Sequence, residues 1–308
     1  MFVEEEKGCT TTVLAHVRAT NHFVPLSRTP GRIVRGVPST TATEVAAVAS
    51  GGELDRASVL GKVMAVLHAF TIDDAPLTLA ELARRTRMPK GTLHRVLADM
   101  VTARLLDRTG TGYRLGGHLF ELGMRASVER SLLEVAIPFL EELNRRIHET
   151  VHLGVLDGTD VVYLTKIGGH RQAAAPSRIG GRMPVHCTAI GKVLLAHSDT
   201  DLQEQVLTAP LPRHTPHTMV MPGRLRTQLD RIAAEGVAYE YEESAPGVVC
   251  VAAPVRDADG TVVAAISVTG PSHRFRPETH AAAVRAAADG IGFTLARRTR
   301  LLTTGGCP

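Results

Sequence analysis

The sequence predicts an α+β chain in which an N-terminal winged helix-turn-helix precedes a larger domain built on an antiparallel sheet. Three observations lead there. Helical periods in residues 56–100 run into two short strands around a Gly-rich turn. Farther on, β-branched runs joined by tight turns interleave with helices. Positive charge is also concentrated in one place: residues 56–118 carry 10 basic and 5 acidic side chains, while 119–308 carry 20 of each and 1–55 carry 5 and 6. A length of 308 residues with 44% apolar composition suits two domains and excludes wholesale disorder.

Residues 1–55 are rich in Thr, Ala, Gly and Pro without an apolar period, and are expected to be a flexible extension. The DNA-binding-type domain is placed at 56–118. Its first helix rests on Val59, Val63, Val66, Leu67 and Phe70 at helical spacing, ending before Asp73-Asp74. Thr78-Leu-Ala-Glu81 is a capping box that opens a short second helix. Pro89 suits the first position of a third helix, in which Leu93, Val96, Leu97 and Met100 form the buried stripe. Residues 105–108 and 113–115, with Thr109-Gly-Thr-Gly112 between them, make the hairpin of the wing.

A linker helix is expected over 119–131 and a larger domain over 132–300. The helix beginning that domain carries Leu132, Leu133, Ala136, Phe139, Leu140, Leu143 and Ile147, with Pro138 expected to kink it or to mark its start. A hairpin follows, with strands at 151–156 and 161–167. After a polar loop come helices at 188–197, 201–207 and 224–235, strands at 237–242, 248–256 and 262–268, and a closing Ala-rich helix at 277–298.

A helix that enters the major groove needs an exposed face with donors for base edges and cations for phosphates. Lys90, Gly91, Thr92, His94 and Arg95 occupy the face opposite the buried stripe. Arg84, Arg85 and Arg87 precede the helix, placed for phosphates, and Arg108 and Arg114 lie on the wing. The competing reading is a solvated basic face on a winged-helix interaction module.

The run Leu79-Ala-Glu-Leu-Ala-Arg-Arg-Thr-Arg-Met-Pro-Lys-Gly-Thr-Leu-His-Arg-Val-Leu97, followed by Gly112-Tyr-Arg-Leu-Gly116, resembles the IclR-type transcriptional regulators. Gly181-Arg-Met-Pro-Val-His-Cys-Thr-Ala-Ile-Gly-Lys192, Pro246-Gly-Val-Val-Cys-Val-Ala-Ala-Pro-Val255 and Ala265-Ile-Ser-Val-Thr-Gly-Pro271 are similar to that family's effector domain. The resemblance spans about residues 56–298. It departs at Arg87, where the family usually has Gly, and at Gly91, where a small hydroxyl residue is usual, so an operator sequence does not carry over.

The resemblance implies a GAF-like effector domain that binds a small organic acid or aromatic catabolite. It further implies a regulator of a catabolic operon, a repressor by the family's commoner habit, that binds a palindromic DNA operator as a homodimer or dimer of dimers. Carried over position by position, the pocket comprises Ala189, Ile190, Glu240, Cys250, Ser267 and Thr269. Glu240 stands where the family commonly has the shorter Asp. The residues supply their own rationale. Ala189 and Ile190 begin a helix, where free amides favour an anion, and Ser267 and Thr269 share one face of a strand.

Other motifs point elsewhere. His148-Glu149-Thr-Val-His152 spells H-E-x-x-H, the alternative being a zinc-dependent hydrolase; that motif needs an unbroken helix, and here a β pattern begins at Thr150. His186 and Cys187 are read as adjacent residues of an extended segment, pointing apart, and His214-Thr-Pro-His217 as a solvated loop. No cofactor is expected, and no spacing demands a metal. Four dispersed cysteines, no apolar run near ~20 residues and an acidic start lead to the expectation of a cytoplasmic protein with no membrane partner, and the resemblance implies a protein that is not an enzyme.

Overall fold

The computed structural model describes residues 55–304 apart from 72–73, 124, 126 and 169–172; the extension expected at 1–55 lies almost wholly outside the described residues. Chain order begins with α1 (Val59–His68), β1 (Leu77–Thr78), α2 (Leu79–Thr86), α3 (Lys90–Thr102), β2 (Leu106–Thr109) and β3 (Gly112–Leu115). Ser58 caps α1 by accepting from the Gly61 amide at 2.9 Å. Val66, Leu77, Leu82, Leu93, Leu97, Met100 and Leu106 form one buried cluster, so the apolar stripe of α3 faces inward as its spacing requires. Val59, at the head of α1, is instead exposed.

Thr78 accepts from the Glu81 amide at 3.2 Å, which is one half of the expected box; the Glu81 carboxylate turns to Arg84 and Arg85 instead. Pro89 stands one residue earlier than expected, as the N-cap of α3, where its ψ of 137° is still extended. The wing turns on Gly110-Thr111, with Thr109 paired to Gly112 and Gly110 at φ +55°, a conformation glycine adopts without steric cost. A third strand, β1, pairs with β3 and gives the order β1-β3-β2. Two residues carry too little pattern to announce a strand.

The linker differs from expectation. A short α4 (Gly117–Gly123) ends early, and α5 (Ser127–Ile147) absorbs the rest of the expected 119–131 segment, running without interruption through Pro138. Pro138 lies on the exposed side of α5, where a carbonyl left without its amide partner can meet water. The opposite side buries Leu132, Val135, Ala136, Leu140 and Leu143.

The remaining elements are β4 (Thr150–Asp157), β5 (Asp160–Ile167), β6 (Arg182–Pro184), a 3-10 turn (Val185–Cys187), α6 (Ala189–Ala196), α7 (Thr200–Thr208), α8 (Pro222–Glu235), β7 (Ala238–Tyr241), β8 (Val248–Arg256), β9 (Val262–Pro271), a second 3-10 turn (Pro277–His280) and α9 (Ala281–Thr304). The expected polar loop before α6 therefore holds a strand and a turn, and the expected closing helix at 277–298 is a 3-10 turn followed by a longer helix.

All pairings in the six-stranded sheet β6-β5-β4-β9-β8-β7 are antiparallel. Alternation splits β8 between two cores. Val249, Val251, Ala253 and Val255 join residues of α5 and α9, while Val248, Cys250 and Ala252 join residues of α6, α7 and α8. Helices thus cover both faces, which is why β8 reads as a continuous apolar run. No helix among the described residues is long and apolar enough to cross a membrane.

Candidate functional site

Two regions gather the residues with chemistry to offer. The first is α3 with its approaches. Lys90, Gly91, His94 and Arg95 are exposed and Thr92 is half-buried, opposite the buried Leu93, Leu97 and Met100. The side chains of Lys90, His94 and Arg95 form no hydrogen bond or ion pair among the described residues, so their donors remain available. Arg87 is exposed at the end of α2 with φ 56°, the left-handed conformation that a glycine would reach more easily.

Arg85 departs from its expected role. Its guanidinium straddles Asp74 at 2.6 and 2.9 Å, reaches Glu81 at 2.8 Å and donates to the Ala69 carbonyl at 2.9 Å. This fork ties α2 to the segment after α1, so Arg85 is a structural brace and not a free phosphate ligand. Asp74 is held well below the usual carboxylate range, chiefly by its hydrogen bonds from Arg85. Arg84 also pairs with Glu81 but stays mostly exposed, and the Glu81 carboxyl falls to about 2 under the hydrogen bonds of both arginines. On the wing, Arg114 lies 3.1 Å from Asp107, its cross-strand partner, in an exposed pair that solvent and salt weaken. Arg108 forms no side-chain bond among the described residues.

The second region is a cavity at the sheet face covered by α6. All six residues expected for the pocket (Ala189, Ile190, Glu240, Cys250, Ser267 and Thr269) line it. Its volume is about 20 Å³, space for roughly one water molecule, so a ligand has to part the lining side chains to enter. Thr188 caps α6 by accepting from the Gly191 amide at 3.0 Å. Gly191 has no room for a side chain, since a Cβ would come within 2.4 Å of the Val185 backbone. That close approach seats the start of α6 against the cavity.

The polar lining is ordered by burial. Glu240 is 1% exposed and accepts from the amide and hydroxyl of Ser244 at 2.9 and 2.7 Å; burial raises its carboxyl above the ordinary range. Cys250 lies 3.1 Å from the Thr269 hydroxyl. His152, expected only as part of the H-E-x-x-H string and not in the pocket, also lines the cavity; its Nε2 is 2.8 Å from the Ser177 hydroxyl and its Nδ1 is 3.3 Å from that of Thr269. Burial, then the nearby Lys166 charge, lowers this imidazole to about 3, so it is neutral at pH 7 and presents one donor and one acceptor. Tyr163 packs edge-on against it at 5.2 Å. A signal existed, because His152 pairs in register with Ser267 and so shares its face. Ser177 comes from a loop without pattern and left none.

The H-E-x-x-H string does not build a zinc site. α5 stops at Ile147, His148 adopts φ 60°, and His152 lies inside β4. His148 is exposed whereas His152 is enclosed in the cavity, and the Glu149 carboxylate is taken by Arg274. The structure also revises His186 and Cys187, which occupy a 3-10 turn, not an extended segment. His214 comes close to both.

Comparison with known proteins follows the same division of the chain. The model for the IclR helix-turn-helix domain matches residues 59–110, and that for the bacterial transcriptional regulator IclR C-terminal matches 124–292. The regulator KdgR of Escherichia coli is 37% identical over 227 residues, covering 73% of this chain and 86% of that protein. BhcR of Paracoccus denitrificans is 35% identical over 272 residues, covering 86% and 95%. Among solved structures, an IclR homolog from Microbacterium hydrocarbonoxydans complexed with 4-hydroxybenzoate superposes with a TM-score of 0.74 at 34% identity, over 78% of this chain and all of that one.

Proposed function

Because this chain belongs to the IclR family of bacterial transcriptional regulators, with both its helix-turn-helix and its C-terminal effector domain, we propose that it is a ligand-responsive repressor of a catabolic operon. The parts divide as a DNA-binding domain at 56–118, a connecting segment at 119–131 and an effector domain at 132–300. α3 reads a palindromic operator through Lys90, Thr92, His94 and Arg95, with Gly91 permitting close backbone approach. Arg84, Arg87, Arg108 and Arg114 contact phosphates. Val59, Leu60 and Phe120 expose apolar side chains suited to a second copy of the chain, and a dimer places half-sites about 34–36 Å apart or a multiple of that.

The observation that carries the effector half is the cavity itself, in which the start of α6, two hydroxyls, a neutral imidazole and a buried carboxyl converge on one small space. Such a set suits a small aromatic or aliphatic acid: amides and hydroxyls receive its carboxylate, while Glu240 and His152 meet a hydroxyl at the other end. The 4-hydroxybenzoate bound by the Microbacterium homolog is of this class and is the first probe to use. Calorimetric titration should show binding to the wild type and a loss of about tenfold or more in Ser267→Ala/Thr269→Val, from groups left unpaired. Equal binding by that variant removes the cavity from the account.

A further inference from the structure

We propose that His186, Cys187 and His214 form a binding site for a zinc-class divalent metal that fastens the loop between α7 and α8 to the segment leading into α6. One donor atom of each side chain lies within 4.8 Å of the others. Two come from the 3-10 turn Val185–Cys187, whose tight winding lets neighbouring side chains border one space where a strand would send them to opposite faces. The third comes from His214, in the loop between α7 and α8.

That loop is already held in place. The Pro212 carbonyl, two residues before His214, lies 3.0 Å from Nε2 of His186 and orients its ring. The amides of His214 and Thr215 donate to the Thr218 hydroxyl at 3.0 and 2.8 Å, and the hydroxyls of Thr218 and Thr215 donate to the carbonyls of Glu243 and Glu242 at 2.7 and 2.6 Å. His214 is therefore carried on a braced turn facing His186, their rings 6.1 Å apart.

A thiolate with two imidazoles is the donor set that zinc prefers and that magnesium and calcium do not. His186 and Cys187 are buried while His214 is exposed, which supplies an entry path. Bond lengths near 2.0–2.3 Å draw the three donors somewhat closer and leave a fourth position for water. Thr188, Ala189 and Ile190, next along the chain, line the cavity, so an occupied site stiffens one of its walls.

The test uses the full chain stripped with a chelator and reloaded with zinc alone, or with cobalt(II) as a spectroscopic probe. The expected result is one zinc retained per chain and a cobalt–thiolate charge-transfer band. Cys187→Ser should abolish the band. His214→Ala, an exposed change that leaves the fold intact, should weaken binding by more than the ~10–100-fold that loss of an outer partner costs, while His217→Ala keeps it. Absence of retained zinc overturns the proposal, and so does equal retention by His214→Ala, which would place the ion on other ligands.

Discussion

At His152, four neighbours decide what one imidazole can do. Ser177, Ser267 and Thr269 offer hydroxyls, Tyr163 covers an edge, and burial keeps the ring neutral down to about pH 3. In the unfolded chain the same ring takes up a proton near its ordinary 6.5. Protonation therefore favours the unfolded state between these values, and stability falls as pH drops from 6.5 toward 3, by up to about 1.4 kcal/mol per pH unit for this group. Urea unfolding at pH 7 and pH 5 should show this slope reduced in His152→Asn; an unchanged slope assigns the acid sensitivity to other groups. Arg85 and Arg95 form a second contrast. Arg85→Ala should lower the melting temperature because Asp74 and Glu81 lose their shared partner, whereas Arg95→Ala should leave it within a degree or two. Both lie in the basic stretch that runs from Arg84 to Arg95. What separates them is Asp74, brought to Arg85 by tertiary packing, and no local pattern reveals that.

Among the elements, α3, the wing and the apolar side of α5 were legible because spacing and turn chemistry act locally, while the start of α5 and its continuity through Pro138 were not. Proline in a helix interior predicts a kink or a start, yet the burial of one whole side of α5 outweighs one missing hydrogen bond on the exposed side. β1 and β6, of two and three residues, form only because a longer strand lies beside them. α3 tolerates Gly91, at which an added Cβ would meet nothing within 4 Å. Gly91→Ala should thus stabilise the chain by up to about 1 kcal/mol, read as a higher melting temperature; a fall would mean that this backbone position resists an L side chain. At α6 the order reverses, since Thr188 satisfies a buried amide. Thr188→Ala should cost about 1 kcal/mol in urea unfolding and weaken 4-hydroxybenzoate binding as the start of the helix loosens.

Over the whole molecule, a net charge of +4 says little about partners until it is divided, when +5 falls on residues 56–118 and none on 119–308. The structure gives that division physical form. One apolar cluster joins α1 to α3 with β1 and β2, and two others sandwich the six-stranded sheet. Six positions of the candidate pocket were legible through the family resemblance, with a helix start at Ala189 and Ile190 and strand alternation at Ser267 and Thr269 as support, while the loop side chains that close it carry no period. The central claim, that α3 reads DNA, is tested most directly by fluorescence anisotropy with duplex from the region upstream of the chain's own gene, across a salt series. The wild type should bind with an affinity that falls steeply as salt rises, through release of counterions from neutralised phosphates. Arg95→Ala should bind at least about tenfold more weakly, as expected for loss of 1–3 kcal/mol of base contact, while remaining folded and competent for small-molecule binding. Equal affinity in wild type and Arg95→Ala, or binding that ignores salt, would contradict the account.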